Sequence, residues 1–386
     1  MLDLHAVQQQ LREFYRYQSE AERERAGKLD RALAALRACE PVWDRLADAV
    51  DGRPTSRLHA RPLESPGTPH DPKPRPAEVT VVATDGSQIF PDRHVEPTCF
   101  LLNIGRIAFQ YGTLEPPLMD ASPHVKYRAR DIETIAGDGY DTATEAVVSA
   151  LRDELELTDL LATATASRVD GRPIVALSDG TLIRWMLRSL RDRALEDRLL
   201  RAYTDTLEGF RAAGIPVCSY ISLPGNAELI NTLGVYLHLF EQEPDALGLD
   251  GLVDHWLLSR HLRPGQRSAL FATQSHIQKD YPKAEQIVFF YFRTDAPAGA
   301  SEIARVELPH WVSEQPGALD LIHSVVLDEC RKGRGYPMIL SEAHEQAVVR
   351  GADRVLFFEM LETLMVREGH PAMGSMKRAS KQRPLI

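Results

Sequence analysis

The chain has 386 residues, 44% of them hydrophobic and 26% charged, with a formal net charge of −10. This composition is typical of a globular protein with a sizeable core, and no stretch has the roughly 18 apolar residues of a membrane span. The start of the chain lacks the zones of a secretory signal, so we expect a cytoplasmic protein without a membrane partner, and the acidic balance argues against tight unaided binding to duplex DNA.

The first 50 residues are predicted to be helical. Leu4, Val7, Leu11 and Phe14 recur at helical spacing and mark one apolar face. This face either packs on its own domain or serves as an arm that docks on a partner. The segment that follows is rich in Pro and Gly and is typical of a flexible linker or an extended loop. We predict four parts: an N-terminal helical arm, a Pro-rich linker, a large α/β domain and a basic, disordered tail, at residues 1–50, 51–77, 78–366 and 367–386.

Beyond the linker, strand and helix patterns alternate. The predicted helices are 141–166, 181–214, 319–333 and 337–365. The predicted strands are 78–84, 98–110, 172–180 and 215–224, followed by a hairpin formed by 284–294 and 303–312. This order indicates an α/β fold with a mixed sheet. The four cysteines are scattered without C-x-x-C spacing, which favours core packing over a zinc site or disulfides.

Two similar corners stand out, "ATDGSQ" at Asp85 and "LSDGTL" at Asp179, each placed at the exit of a short apolar strand. One Asp-Gly dipeptide is ordinary turn chemistry. Two of them in one sheet would bring both carboxylates to the same edge, where oxygen ligands commonly hold Mg²⁺ or Mn²⁺. Metal ions held in this way serve phosphoryl chemistry, because they activate water and stabilise the leaving oxygen.

A competing interpretation is an actin-like phosphotransferase, whose phosphate-binding corners run Asp-x-Gly-Ser/Thr. Here Asp85 and Asp179 directly abut the glycine, and no Gly-rich adenosine-binding segment precedes a late helix. These departures make the phosphotransferase the weaker alternative.

The order of the motifs resembles the NurA family, DNA-end-processing nucleases that act with the hexameric HerA translocase. "VVATDGSQ", "LRDELEL", "IVALSDGTLI", "VFFYFR…IARVELP" and "GYPMILSEAHEQAVV" follow one another from Val79 to Val349. The resemblance implies an RNase H-like α/β fold with flanking helices. It further implies a Mn²⁺-dependent nuclease, with Mg²⁺ as the alternative ion, that trims single strands and duplex ends during recombinational repair. A homodimer docked on a HerA-type ATPase is also implied.

Carried over residue by residue, the resemblance implies that Asp85, Glu156, Asp179 and His344 are metal ligands and catalytic residues. The helix ligand has an alternative, because Glu156 fits the local pattern after Arg152, whereas helical phase puts Glu154 in the apolar stripe. If the metal cluster were incomplete, the chain would be a non-catalytic platform that regulates a translocase.

Two further features carry weaker predictions. Tyr220 ends a predicted strand, where it either packs in the core or lies near substrate. The charge-dense helix around residues 191–201 is either a solvated face or the lining of a DNA channel, through Arg191, Arg193, Arg198 and Arg201.

Overall fold

The computed structural model describes residues 3–51, 57–92, 98–128, 142–241, 246–296 and 301–369. The strands in these ranges are β1 Ala60–Pro62, β2 Val79–Ile89, β3 Phe100–Tyr111, β4 Leu118–Lys126, β5 Ile174–Asp179, β6 Val217–Ser222, β7 Phe271–Thr273, β8 Ile287–Arg293 and β9 Ile303–Pro309. The α-helices are α1 Leu4–Ala38, α2 Trp43–Asp51, α3 Thr142–Ala166, α4 Arg193–Ala213, α5 Glu228–Phe240, α6 Asp254–His261, α7 His310–Glu314, α8 Ala318–Lys332, α9 Met338–Ala347 and α10 Gly351–Arg367.

Contacts divide the chain into two units. The first unit comprises Met1–Lys73, Ile221–Asp280 and Gln286–Leu308, and the second comprises Pro74–Tyr220, Tyr281–Glu285 and Pro309–Ile386. The boundaries predicted at residues 50, 77 and 366 stay predictions. The tail from residue 370 onward lies outside the described residues.

The second unit contains strands in the order β6-β5-β2-β3-β4. β2, β3 and β4 form an antiparallel meander, while β5 runs parallel to both β2 and β6. Helices α3 and α9 both pack on β2 and β3. Buried apolar residues dominate β5 and the first half of β2, as expected for strands covered on both faces. The RNase H-like mixed sheet with flanking helices is confirmed.

The first unit has its own core, built on strands in the order β1-β7-β8-β9. The second half of the N-terminal helical segment belongs to this core: Leu29, Leu36, Leu46 and Val50 are buried in one cluster with residues of α5 and α6. The first half of α1 is different, because its apolar side chains are exposed. These are Leu4, Leu11, Phe14 and Tyr15.

Two predicted long helices are interrupted in the structure. The helix predicted over 181–214 is α4 preceded by a separate 3₁₀ turn at Trp185–Ser189, because Asp192 caps α4 by accepting hydrogen bonds from the N–H groups of Ala194 and Leu195. The helix predicted over 337–365 is α9 followed by α10, which begins at Gly351, where the Asp353 carboxylate accepts a hydrogen bond from the Arg350 N–H at 2.8 Å.

Other sequence predictions hold. All four cysteines are free and buried, as packing residues are. The helix predicted to end at residue 214 does end there, where Gly214 follows α4 in the left-handed conformation with φ 64°. None of the helices within the described ranges has the length and apolar character to cross a membrane.

Candidate active site

Asp85 and Asp179 lie side by side on parallel strands. The register of β2 and β5 runs to the pair Thr84 and Ser178, so the two aspartates occupy the next position on each strand. The second corner is a true turn, in which Gly180 has φ 76° and its N–H donates to Asp179 Oδ1 at 2.9 Å and to the Tyr220 carbonyl at 3.0 Å. The strands thus bring the predicted carboxylates together, as the two corners indicated.

The first corner is not a turn, and this part of the sequence interpretation is wrong. β2 continues through Asp85 and Gly86 to Ile89. Gly86 serves instead as a point of close approach. A Cβ there would lie 2.4 Å from Glu156 Oε1 and 2.8 Å from Arg152 Cγ. Its missing side chain therefore makes room for α3 rather than allowing the chain to turn.

His344 is brought to Asp85 by the close packing of α9 on β3. Gly105 pairs with Asp85 across the strands, and a Cβ at Gly105 would lie 2.4 Å from the Ala343 carbonyl oxygen and 2.6 Å from the Ala347 nitrogen. His344 Nδ1 is 2.7 Å from Asp85 Oδ2. An ionised carboxylate only accepts hydrogen bonds, so Nδ1 is the donor and Nε2 is the ring nitrogen left to other partners.

The end of α9 is tied to the same strands. Ser87 Oγ and Asn103 Nδ2 donate to the Ala347 carbonyl at 2.5 and 2.8 Å. His344 therefore stands on a helix whose position is fixed at both Gly105 and Ala347.

Tyr336 holds the second aspartate, and sequence reasoning missed its role. Its hydroxyl donates a hydrogen bond to Asp179, and its ring packs edge-on against Tyr220, with centroids 5.3 Å apart. Burial raises the pKa of Asp179, the bonds from Tyr336 and the Gly180 N–H lower it, and the charge of Asp85 raises it. The signal available in the sequence was Tyr336 itself, in the motif "GYPMIL" eight residues before His344.

Glu156 lies on the other face of the sheet. Successive strand residues point to opposite faces, and Glu156 contacts Gly86, whereas Asp85 faces α9. Thr84 Oγ1 also donates to the Glu156 carbonyl at 2.9 Å. The Glu156 carboxylate pairs with Arg152, with Nε 2.8 Å from Oε1.

The surroundings of Glu156 shift the pKa of its carboxyl group strongly. Burial raises its pKa to about 8 against the attraction of Arg152, and the charges of Asp153 and Asp85 raise it further. Arg152 also donates to Asp153 at 2.8 Å and to Gln88 at 3.0 Å. Glu156 is thus a member of a buried ionic network that reaches the back of the strand carrying Asp85.

Glu154 does not approach β2. Its carboxylate lies 3.8 Å from Arg198 of α4. The helical-phase argument fails because α3 is covered from two sides: one face packs on β2 and β3, and Leu161 on another faces Gly209 of α4. Of the two glutamates, the structure places Glu156 near the aspartates.

A divalent cation fits this site in donor type and charge. Asp85, Asp179 and His344 supply two carboxylates and an imidazole near the carboxyl end of β5. Burial and the charge of Asp85 raise the pKa values of both Asp179 and Glu156, so these carboxylates lie close enough to repel one another. Among the residues that the structure describes, however, no three His, Cys, Asp or Glu side chains form an assembled metal-binding group. In this structure His344 is hydrogen-bonded to Asp85, and Arg152 forms an ion pair with Glu156.

The weaker candidates have structural partners. Tyr220 is fully buried, and its hydroxyl donates to the Gly335 carbonyl at 3.4 Å, so it is a packing residue behind Tyr336. Arg193 pairs with Glu196 and Arg198 with Glu154. Arg191, two residues before α4, and Arg201, within it, are exposed.

The crystal structure of the NurA nuclease from Sulfolobus solfataricus resembles the chain with a TM-score of 0.56 and 14% identity, over 95% of this chain and 98% of that one. A second crystal structure, described as NurA, gives a TM-score of 0.38 and 13% identity, over 86% of this chain and 96% of the other. No curated protein matches the chain.

The family model for the NurA domain matches residues 79–349, a span that contains Asp85, Glu156, Asp179 and His344. This range is more than half of the chain and coincides with the ordered motifs found in the sequence. The chain therefore belongs to the NurA family.

Proposed function

We propose that this protein is a metal-dependent DNA nuclease that processes single strands and duplex ends in recombinational repair in the cytoplasm. The observation that carries the proposal is the convergence of Asp85, Asp179 and His344 near the carboxyl end of β5 within a NurA domain. The NurA structure from Sulfolobus solfataricus is described as a nuclease, and its fold is shared here.

We assign Asp85, Glu156, Asp179 and His344 to the binding of one or two Mn²⁺ ions, with Mg²⁺ as the alternative. When bound, such an ion polarises the scissile phosphate and lowers the pKa of a coordinated water. Asp179 is oriented for this task by Tyr336 and the Gly180 N–H. Because His344 Nδ1 donates to Asp85, Nε2 is the ring nitrogen that would bind the ion, on a side chain that is 65% exposed.

The decisive experiment uses end-labelled single-stranded and duplex DNA with Mn²⁺, Mg²⁺ or EDTA. Asp85→Asn and Asp179→Asn should each lower cleavage at least about 100-fold, since the lost ligand would remove several kcal/mol of transition-state stabilisation. Asp205→Asn, which changes an exposed carboxylate on α4, is the matched control and should cleave normally.

Calorimetric titration of Mn²⁺ into the same proteins without DNA separates binding from chemistry. Both site variants should lose Mn²⁺ affinity while the control keeps it. Near-normal cleavage by either site variant would contradict the assignment. DNA binding without cleavage under every metal condition would favour the regulatory platform, and nucleotide binding without nucleic acid would favour the phosphotransferase.

We further propose that the protein works as a homodimer. Support comes from the second unit, where α10 and the end of β4 expose apolar side chains around a groove of about 830 Å³; its lining includes Val125, Leu356, Met360 and Leu364. Leu356→Lys should lower the molar mass measured by light scattering, whereas Val169→Lys, at an exposed loop position, should not. Unchanged mass in both variants would count against this surface.

We also propose a HerA-type ATPase as partner. The exposed apolar stripe of α1, with Leu4, Leu11 and Phe14, supports it, because this part of the helix lies outside the core of the first unit. Deleting residues 1–20 should weaken the complex with a HerA-type ATPase in a pull-down and leave the melting temperature unchanged. Full binding by the truncated chain would refute the role of the stripe.

A further inference from the structure

The segment that follows Asp179 presents two large apolar side chains at the surface. Leu182, Ile183 and Leu187 are buried, but Trp185 and Met186 between them are 37% and 52% exposed. We propose that Trp185, with Met186 beside it, is a base-stacking subsite for a single DNA strand whose cleaved phosphate lies at Asp85 and Asp179. This inference rests on the proposed nuclease function and adds a substrate-binding site to it.

The segment is held rigidly just before Trp185. The Leu182 carbonyl accepts hydrogen bonds from the hydroxyls of Tyr203 at 2.9 Å and Tyr281 at 3.0 Å, and the Arg184 N–H donates to the Tyr281 hydroxyl at 3.1 Å. A side chain displayed on such an anchored turn loses little conformational freedom when it binds a ligand, which is the property expected of a binding platform.

The Arg184 side chain adds a second anchor. It turns inward, where its guanidinium lies 4.4 Å from the centre of the Tyr203 ring and 3.5 Å from Asp153. Trp185 is the next residue, and it turns outward with 37% of its surface exposed.

The surroundings of Trp185 suit a polyanion. Residues 184–201 contain six arginines and three carboxylates, in a chain whose net charge is −10. One of those carboxylates, Glu196, is almost completely buried and pairs with both Arg188 and Arg193. Because one negative charge orients two exposed guanidinium groups, a positive charge remains at the surface, fixed in position for backbone phosphates.

The chemistry of these side chains favours a single strand. An indole stacks on the face of an unpaired base, which a continuous duplex does not offer, and arginines flank such stacking sites by contacting phosphates. The subsite also lies within reach of the candidate active site, since Trp185 is six positions after Asp179 and that length of chain spans at most about 20 Å. A short single strand with a phosphate at Asp179 can therefore place a base on Trp185.

The test measures binding of a fluorescein-labelled oligothymidine by anisotropy, in EDTA so that no cleavage occurs. Trp185→Ala should weaken binding about tenfold, as the loss of one base stack of roughly 1.4 kcal/mol predicts. Trp185→Phe keeps an aromatic face and should stay within about threefold of the wild type. Tyr17→Ala, which removes an exposed aromatic ring from α1 in the first unit, is the matched control and should bind normally.

Two further readouts keep the outcomes distinct. Quenching of tryptophan fluorescence by the oligonucleotide should be reduced in Trp185→Ala, and its melting temperature should equal that of the wild type because the side chain is exposed. Wild-type affinity in Trp185→Ala, with Mn²⁺-dependent cleavage by the wild type intact, would overturn the stacking subsite alone. A wild-type protein that neither binds nor cleaves DNA would overturn the proposed function.

Discussion

The two faces of β2 at Asp85 and Gly86 offer a direct comparison. On the face covered by α9, Asp85 contacts His344, whose side chain is 65% exposed. On the face covered by α3, Glu156 is paired with Arg152 in a buried network that continues through Asp153. Neighbouring residues of one strand thus lead to an open site on one side and a closed ionic network on the other.

The difference shows how a strand can separate two tasks. The open face leaves carboxylates accessible to solvent, ions and substrate. The closed face holds charge where desolvation makes every unpaired group costly, so its members depend on one another. Glu156 makes its contacts on the closed face, although we propose that it acts with the aspartates of the open face. The comparison therefore depends on this residue.

The largest expected effect is therefore at Glu156. Glu156→Gln should lower Mn²⁺-dependent DNA cleavage by about 1,000-fold, roughly 4 kcal/mol, because a ligand charge is lost from the site. Glu154→Gln, two residues away on the same helix but paired with Arg198, should retain activity within about twofold. A larger loss of cleavage in Glu154→Gln than in Glu156→Gln would identify Glu154 as the helix ligand. Equal rates in the two variants would show that neither glutamate of α3 is a metal ligand.

Substitutions on the closed face should lower the stability of the fold more than substitutions on the open face. Arg152→Ala leaves Glu156 and Asp153 buried without their partner and should lower the free energy of unfolding of the metal-free protein by about 3 kcal/mol. His344→Ala removes a largely exposed ring and should change it by less than about 0.5 kcal/mol. Urea titration of both variants checks this contrast, which fails if the two losses are similar.

The glycines on the two faces should differ by a smaller amount. A Cβ at Gly105 would meet backbone atoms of α9, whereas a Cβ at Gly86 would meet side-chain atoms of Glu156 and Arg152. Gly105→Ala should therefore cost about 2 kcal/mol of unfolding free energy and Gly86→Ala about 1 kcal/mol, since side chains yield more readily than a helix. Denaturant unfolding of the two variants gives the ranking, and a reversed order would show that α9 can shift.

Much of the candidate site was predictable because it depends on local patterns. The apolar run before Asp179, the turn at Gly180 and the capped end of α4 at Gly214 each follow from a few neighbouring residues, and the structure contains them. The sequence of motifs also identified the family. These features need no knowledge of which elements meet in space.

Only the tertiary structure decided what each side of β2 faces. Strand alternation requires Asp85 and Gly86 to point in opposite directions, but nothing local says that α9 covers one side and α3 the other. For the same reason, the sequence pattern indicated a turn at Gly86, whereas in the structure this glycine makes room for Glu156. The pattern also did not indicate a role for Tyr336, because its partner Asp179 lies far away in the chain. Contacts between residues distant in sequence depend on how helices pack on the sheet, and that packing is set by the whole fold.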